Sequence, residues 1–177
     1  FQSVTLRTAG FASFNQDALT EASKVLSDLL MFVGGSSGST AGGVKTVTMG
    51  LVILSAVSTM RGRRQVTVFG RSISQEDISN AVSIALLVMG LSLLGAAVIT
   101  VCDGCSFMNA IYETISALCT VGLTTGITPT LCTASKLILI VFMFFGRVGI
   151  MTIGVGFMMG DRAKERVQYA QTKVMIG

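Results

Sequence analysis

Three features of this 177-residue chain combine residue types and spacings that could do chemistry. Two Thr-x-Gly stretches, Thr8-Ala9-Gly10 and Thr120-Val121-Gly122, can turn threonine hydroxyls and backbone carbonyls toward a cation. The segment Gly34-Gly35-Ser36-Ser37-Gly38-Ser39-Thr40-Ala41-Gly42-Gly43-Val44-Lys45 holds five glycines in twelve residues and runs into Thr46. That composition suits a phosphate cradle, a linker or a deliberate break in a helix. Arg147 is a single charge inside an apolar run, a multiple hydrogen-bond donor where water is scarce.

Other chemistries fit the residues less well. A phosphate loop needs G-x-x-x-x-G-K-[ST], but Val44 stands directly before Lys45 and no strand pattern precedes the segment. Cys102 and Cys105 make one CxxC without a second, and the chain has no histidine. A zinc site wants several such ligands and a redox pair wants a thioredoxin-like context, so the cysteines read as small apolar filler. The missing histidine also removes the commonest general base, and no enzyme is expected. The ten methionines read as packing.

The elements that must position these residues are apolar. The chain is 51% hydrophobic and 12% charged, with a mean hydropathy of +0.73. Soluble domains carry roughly a quarter charged residues, so this composition points to an integral membrane protein. Residues 78–101 carry no charge over 24 positions, enough to cross a bilayer at about 1.5 Å per residue. Residues 135–159 form a second span with Arg147 near its centre. Residues 19–33 and 46–60 are each helical in character but short for a crossing, with the glycine segment between them. Residues 102–134 begin with a turn, continue as a short amphipathic helix at about 105–119, and end in a Thr/Gly-rich extended piece containing Pro129. A half-crossing helix followed by irregular backbone is tolerated at membrane depth only inside protein or against a watery cavity.

The net charge of +4 is unevenly spread. Arg61, Arg63, Arg64 and Arg71 form one basic group and Arg162, Lys164, Arg166 and Lys173 another, while residues 101–135 contain no Lys or Arg. The positive-inside tendency places a connector at 61–77 and a tail at 161–177 in the cytoplasm and the middle segment outside. Both basic groups abut hydrophobic spans, so the bilayer, not nucleic acid, is the expected partner. Within the connector, the alternation around Phe69-Gly70 predicts a short β-hairpin.

The odd middle segment has a copy at the start of the chain. Phe1 falls on Tyr112, and Gln2-Ser3-Val4-Thr5 on Glu113-Thr114-Ile115-Ser116. After one extra residue in the second copy, Thr8-Ala9-Gly10-Phe11 falls on Thr120-Val121-Gly122-Leu123. The unit is a short helix, a Thr-x-Gly strand and then a membrane helix. Its physics is ion conduction: the helix aims its negative C-terminal dipole at a pore axis, and the strand offers carbonyls in place of the ion's water shell. The expected ion path is lined by the carbonyls of Thr8, Ala9, Gly10, Thr120, Val121 and Gly122. The competing reading is a membrane structural or receptor-like subunit that conducts nothing, in which Thr-x-Gly is an ordinary turn.

The stretches TLRTAGF, MFVGGSSGSTAGGVKT, TVGLTTGITP and FFGRVGIMTIG resemble the Trk/Ktr/HKT superfamily of potassium transporters, above all the membrane subunit of the bacterial Ktr system. The resemblance covers essentially the whole chain. It implies an all-α integral membrane fold of helix–pore loop–helix repeats, arranged with pseudo-fourfold symmetry around one pore. Residues 1–60 would be the third repeat without its first helix, its inner helix broken at 34–45, and residues 78–160 the fourth. The chain would then be a fragment of a longer protein; a complete chain forming its pore as a dimer is the alternative. The resemblance further implies potassium as the transported ion, with sodium as a possible coupling or activating ion. It places Arg147 just below the filter, touching the 34–45 loop, so that Arg147 and Gly34 to Lys45 form the gate. A homodimer and a cytoplasmic nucleotide-binding regulatory ring follow from the same likeness, and no cofactor in this chain does. Arg7 is expected to brace its strand from behind. Glu113 is either its counter-charge or an attractor of cations.

Overall fold

A computed structural model describes residues 1–36, 38–39, 41–62, 66–68 and 71–148. The expectations for Ser37, Thr40, Arg63, Arg64, the end of the second span and the 161–177 tail lie outside these residues. The described fold is helical with one small hairpin: α1 (Gln2–Thr5), α2 (Glu21–Phe32), α3 (Thr46–Met60), β1 (Thr67–Val68), β2 (Arg71–Ser72), α4 (Gln75–Asp103), α5 (Phe107–Leu118) and α6 (Thr133–Val148). The hairpin expected in the connector is present, with Thr67 opposite Ser72 and Val68 opposite Arg71.

Local sequence sets the helix limits. Thr20 caps α2 by accepting from the Ser23 N–H, and Ser74 caps α4 by accepting from Asp77. Gly104 ends α4 in the left-handed conformation at φ 63°. Asp103 then accepts from the Cys132 N–H and the Ser135 hydroxyl, tying the end of α4 to the start of α6. The 29 residues of α4 are long and apolar enough to cross a membrane by length and composition. Neither α2, at 12 residues, nor α3, at 15, has that length.

The core is built around α5, which packs against α2, α4 and α6. Every residue from Tyr112 to Leu118 is buried. Ile99, Ala96 and Val88 of α4 and Leu139 and Phe142 of α6 close over it. The opposite surfaces of these helices are apolar and open, among them Leu86, Leu94 and Val101 on α4 and Leu137, Ile140 and Phe144 on α6. Such continuous apolar faces suit a lipid or protein neighbour and not water.

Candidate functional site

The two Thr-x-Gly stretches have the same unusual backbone. Among the described residues, the non-glycine residues with positive φ are Thr8 (67°) and Thr120 (56°). A β-branched residue resists that conformation by about 1–2 kcal/mol, so finding it at the same place in both copies marks a constraint. Gly10 (φ 72°) and Gly122 (φ 91°) are left-handed too, whereas Ala9 and Val121 between them are not. Alternation of hand along a strand turns successive peptide groups to one side. The strands also meet, since a Cβ on Gly10 would lie 2.2 Å from the Val121 carbonyl oxygen. The N–H groups of Ala9 and Gly10 bond back to the Thr5 carbonyl, and those of Thr120 and Val121 to the Ala117 and Ser116 carbonyls, an arrangement that suits presenting the strand carbonyls to a cation that has shed its water.

Side chains of the short helices hold both strands from behind. Thr5 Oγ1 donates to the Phe11 carbonyl at 2.9 Å and accepts from the Phe11 N–H at 2.7 Å. In the second copy, Ser116 Oγ donates to the Leu123 carbonyl at 2.6 Å. One turn earlier, the paired positions Gln2 and Glu113 hold the chain as it returns from the strand. Gln2 donates to Gln16 at 2.7 Å, and Gln16 also accepts from the Tyr112 hydroxyl at 3.3 Å, joining the two copies. Glu113 accepts from the Thr125 N–H at 3.0 Å, the Thr128 hydroxyl at 3.0 Å and the Thr124 and Thr125 hydroxyls. Glu113 is therefore an anchor for the loop at 124–128, with its oxygens turned to threonines and not to Arg7. Arg7 is exposed. Lys24 adds a tie between α2 and α5 through Asn109 at 2.9 Å.

Glu113→Gln replaces one acceptor oxygen with a donor that faces the Thr125 N–H or the threonine hydroxyls. Leaving a buried group unpaired costs roughly 1–3 kcal/mol. The purified full-length subunit is expected to lose thermal stability, and an unshifted melting curve would contradict the anchor.

The glycine segment folds back beneath the second strand. Its neck is closed by the Gly34 N–H on the Val44 carbonyl at 2.9 Å and the Thr46 N–H on the Gly35 carbonyl at 3.2 Å. Lys45 reaches back and donates to the carbonyls of Ser39 at 2.9 Å and Ala41 at 2.7 Å. The ammonium thus meets part of the polar demand that a broken helix creates. At the far side, the Gly42 N–H donates to Thr120 Oγ1 at 2.9 Å. A side chain at Gly42 has no room, because its Cβ would lie 2.6 Å from that oxygen.

Thr120 is touched from α6 as well. A Cβ on Gly146 would stand 2.0 Å from the Leu118 carbonyl oxygen and 3.1 Å from Thr120 Cγ2. The next residue, Arg147, lines a cavity of about 540 Å³ together with Thr120, Gly122, Thr124 and Met143. The structure thus gathers Thr120, Gly122, Gly42 and Arg147 around one end of the second strand, with Gly10 against its middle. Sequence reasoning missed Thr5, Ser116, Gln16 and Lys24. Only the pairing of Thr5 with Ser116 in the repeat hinted at any of them.

The sequence model of the TrkH family, described as a cation transport protein, matches residues 1–165. The chain belongs to the TrkH family. This is a family of transport proteins and not of enzymes. Along its full length the chain is 37% identical to the Ktr system potassium uptake protein B of Bacillus subtilis, covering 39% of that protein. It is 36% identical to the potassium/sodium uptake protein NtpJ of Enterococcus hirae, covering 40%. Identity to the Ktr system potassium uptake protein B of Vibrio alginolyticus is 32%, covering 38%. This TrkH-family chain therefore spans about two fifths of the length of these curated relatives.

Proposed function

We propose that this chain is part of a membrane subunit that carries potassium ions across the cell membrane through a carbonyl-lined filter. The observation that carries the reading is the matched left-handed backbone of Thr8 and Gly10 and of Thr120 and Gly122. An ordinary turn does not account for a strained threonine at the same place in two copies of one unit. In this reading the carbonyls of Thr8, Ala9, Gly10, Thr120, Val121 and Gly122 take the place of water around the ion.

The 34–45 loop and Arg147 form the barrier beneath the filter. Residues 1–60 supply the third pore repeat and 78–160 the fourth, joined by a cytoplasmic connector at 61–77, with 161–177 as a cytoplasmic tail. The subunit is multi-pass and pairs as a homodimer in the bilayer. The relatives named as parts of a Ktr system favour a separate regulatory partner, a cytoplasmic nucleotide-binding ring facing the connector and tail. The potassium/sodium relative favours sodium as a second or activating ion.

The test is Gly122→Ser in the full-length subunit, produced in cells that lack their own potassium uptake. The new side chain must occupy φ 91°, which costs about 1–2 kcal/mol at each visit. Rubidium uptake is expected to fall about tenfold at equal amounts of protein in the membrane. Unchanged uptake would favour the non-conducting structural subunit instead.

A further inference from the structure

The two buried hydroxyls behind the strands have a common geometry. Thr5 and Ser116 occupy equivalent places in the repeat, and both are nearly inaccessible, at 2% and 3% exposure. Each bonds the residue that follows a filter glycine, Phe11 in one copy and Leu123 in the other. The separations are 6 and 7 residues, so the hydroxyl keeps its target although the second copy has an extra residue. A hydrogen bond kept across an insertion reflects the target and not the local turn. In both copies the hydroxyl donates to the next carbonyl, and a carbonyl accepting from the pore-helix side points away from the ion path.

We propose that Thr5 and Ser116 are positioning residues that end the ion-coordinating run at Gly10 and Gly122. They turn the Phe11 and Leu123 carbonyls back into the protein and so fix the width and length of the filter. This deepens the potassium-filter reading and rests on it. A filter discriminates between ions of different size only if its oxygens are held at a set spacing. Without the hydroxyls the next carbonyl is released, the strand end loosens, and a smaller cation can draw the oxygens inward.

The test uses the full-length subunit with its natural partners. The double variant Thr5→Val/Ser116→Ala removes both hydroxyls while keeping the side chains close in size. Its counterpart Thr5→Ser/Ser116→Thr keeps both. Rubidium uptake is measured against increasing sodium, with the amount of protein in the membrane scored separately. The hydroxyl-free variant is expected to need about tenfold less sodium for half-inhibition, and the hydroxyl-bearing variant to behave as wild type. That split in ion competition is not produced by a general loss of stability, which lowers the amount of active protein and leaves the competition constant alone.

Should the double variant not reach the membrane, Ser116→Ala alone, which deletes a single oxygen, gives the same readout. Wild-type sodium competition in the hydroxyl-free variant, with Gly122→Ser still impaired, overturns the positioning role and leaves the filter standing. Wild-type uptake in Gly122→Ser overturns the filter and the positioning role together.

Discussion

Deleting residues 36–43 from the full-length subunit is expected to raise rubidium influx about tenfold or more, equivalent to removing at least about 1.4 kcal/mol from the barrier to conduction. The expectation follows from where the loop lies. Its Gly42 N–H is bonded to the Thr120 hydroxyl at 2.9 Å, and Thr120 opens the second of the two strands proposed to line the ion path. An ion leaving that strand toward the loop meets a backbone N–H that already occupies the hydroxyl oxygen. The loop is also held in place: Lys45 is bonded to the Ser39 and Ala41 carbonyls, so a fixed positive charge stands within the proposed barrier. Deletion removes the Gly42 contact and both acceptors of Lys45 while leaving α2 and α3 intact. Lys45→Met supplies a graded arm. It keeps the loop length but frees its tip, and should raise flux by less than the deletion does. The measurement is rubidium influx into vesicles containing the full-length subunit, normalised to protein. A loop-deleted subunit that conducts no faster than wild type would remove the loop from the gate.

The elements were legible because hydropathy and length alone mark them. The uncharged run at 78–101 became α4, and the apolar pieces flanking the glycines became α2 and α3. The repeat was legible from Thr-x-Gly after a short helix, and the structure gives both copies the same backbone sign pattern. The supporting polar contacts were not legible, for a physical reason. The helix at about 105–119 was expected to be amphipathic, yet its polar residues Glu113, Thr114 and Ser116 are all buried. Glu113 and Ser116 find their partners in the chain that follows the strand, and Thr114 donates to the Ser92 carbonyl of α4, contacts reached only once the chain has turned back on itself. Periodicity reports which side of a helix differs from the other. It does not report whether the polar side meets water or a strained loop.

The same limit applied to the loop. The resemblance placed Arg147 against the loop and Lys45 within the same gate, without saying which bonds either would make. Lys45, at the loop's own end, is bonded to two of its carbonyls, an arrangement that depends on how the segment folds back and not on composition. Arg147 is brought to the cavity beside Thr120 and Gly122 by the close approach of Gly146 to the end of α5, a contact that no spacing rule announces.

Gly10→Ala is expected to abolish rubidium uptake, by at least about a hundredfold, and for two separate reasons. The first is conformational: Gly10 sits at φ 72°, where a Cβ costs about 1–2 kcal/mol. That term alone would give roughly a tenfold effect. The second is larger and structural. The added Cβ would lie 2.2 Å from the Val121 carbonyl oxygen and 3.2 Å from its carbon. An unstrained carbon–oxygen contact is about 3.3 Å or longer, so one strand must retreat by about 1 Å. The obstructing atom is backbone, and no rotamer change relieves it. Because Val121 is itself one of the proposed ion-lining residues, the relief displaces an oxygen whose position sets the site. Displacements of about 1 Å in preorganised sites can cost on the order of a hundredfold. Ala9→Gly, one residue earlier, adds no atom and should cost far less, which separates a clash at the strand contact from general sensitivity of the region. Wild-type uptake by Gly10→Ala, at equal amounts in the membrane, would mean that the two strands do not meet as described and that the ion does not pass between them.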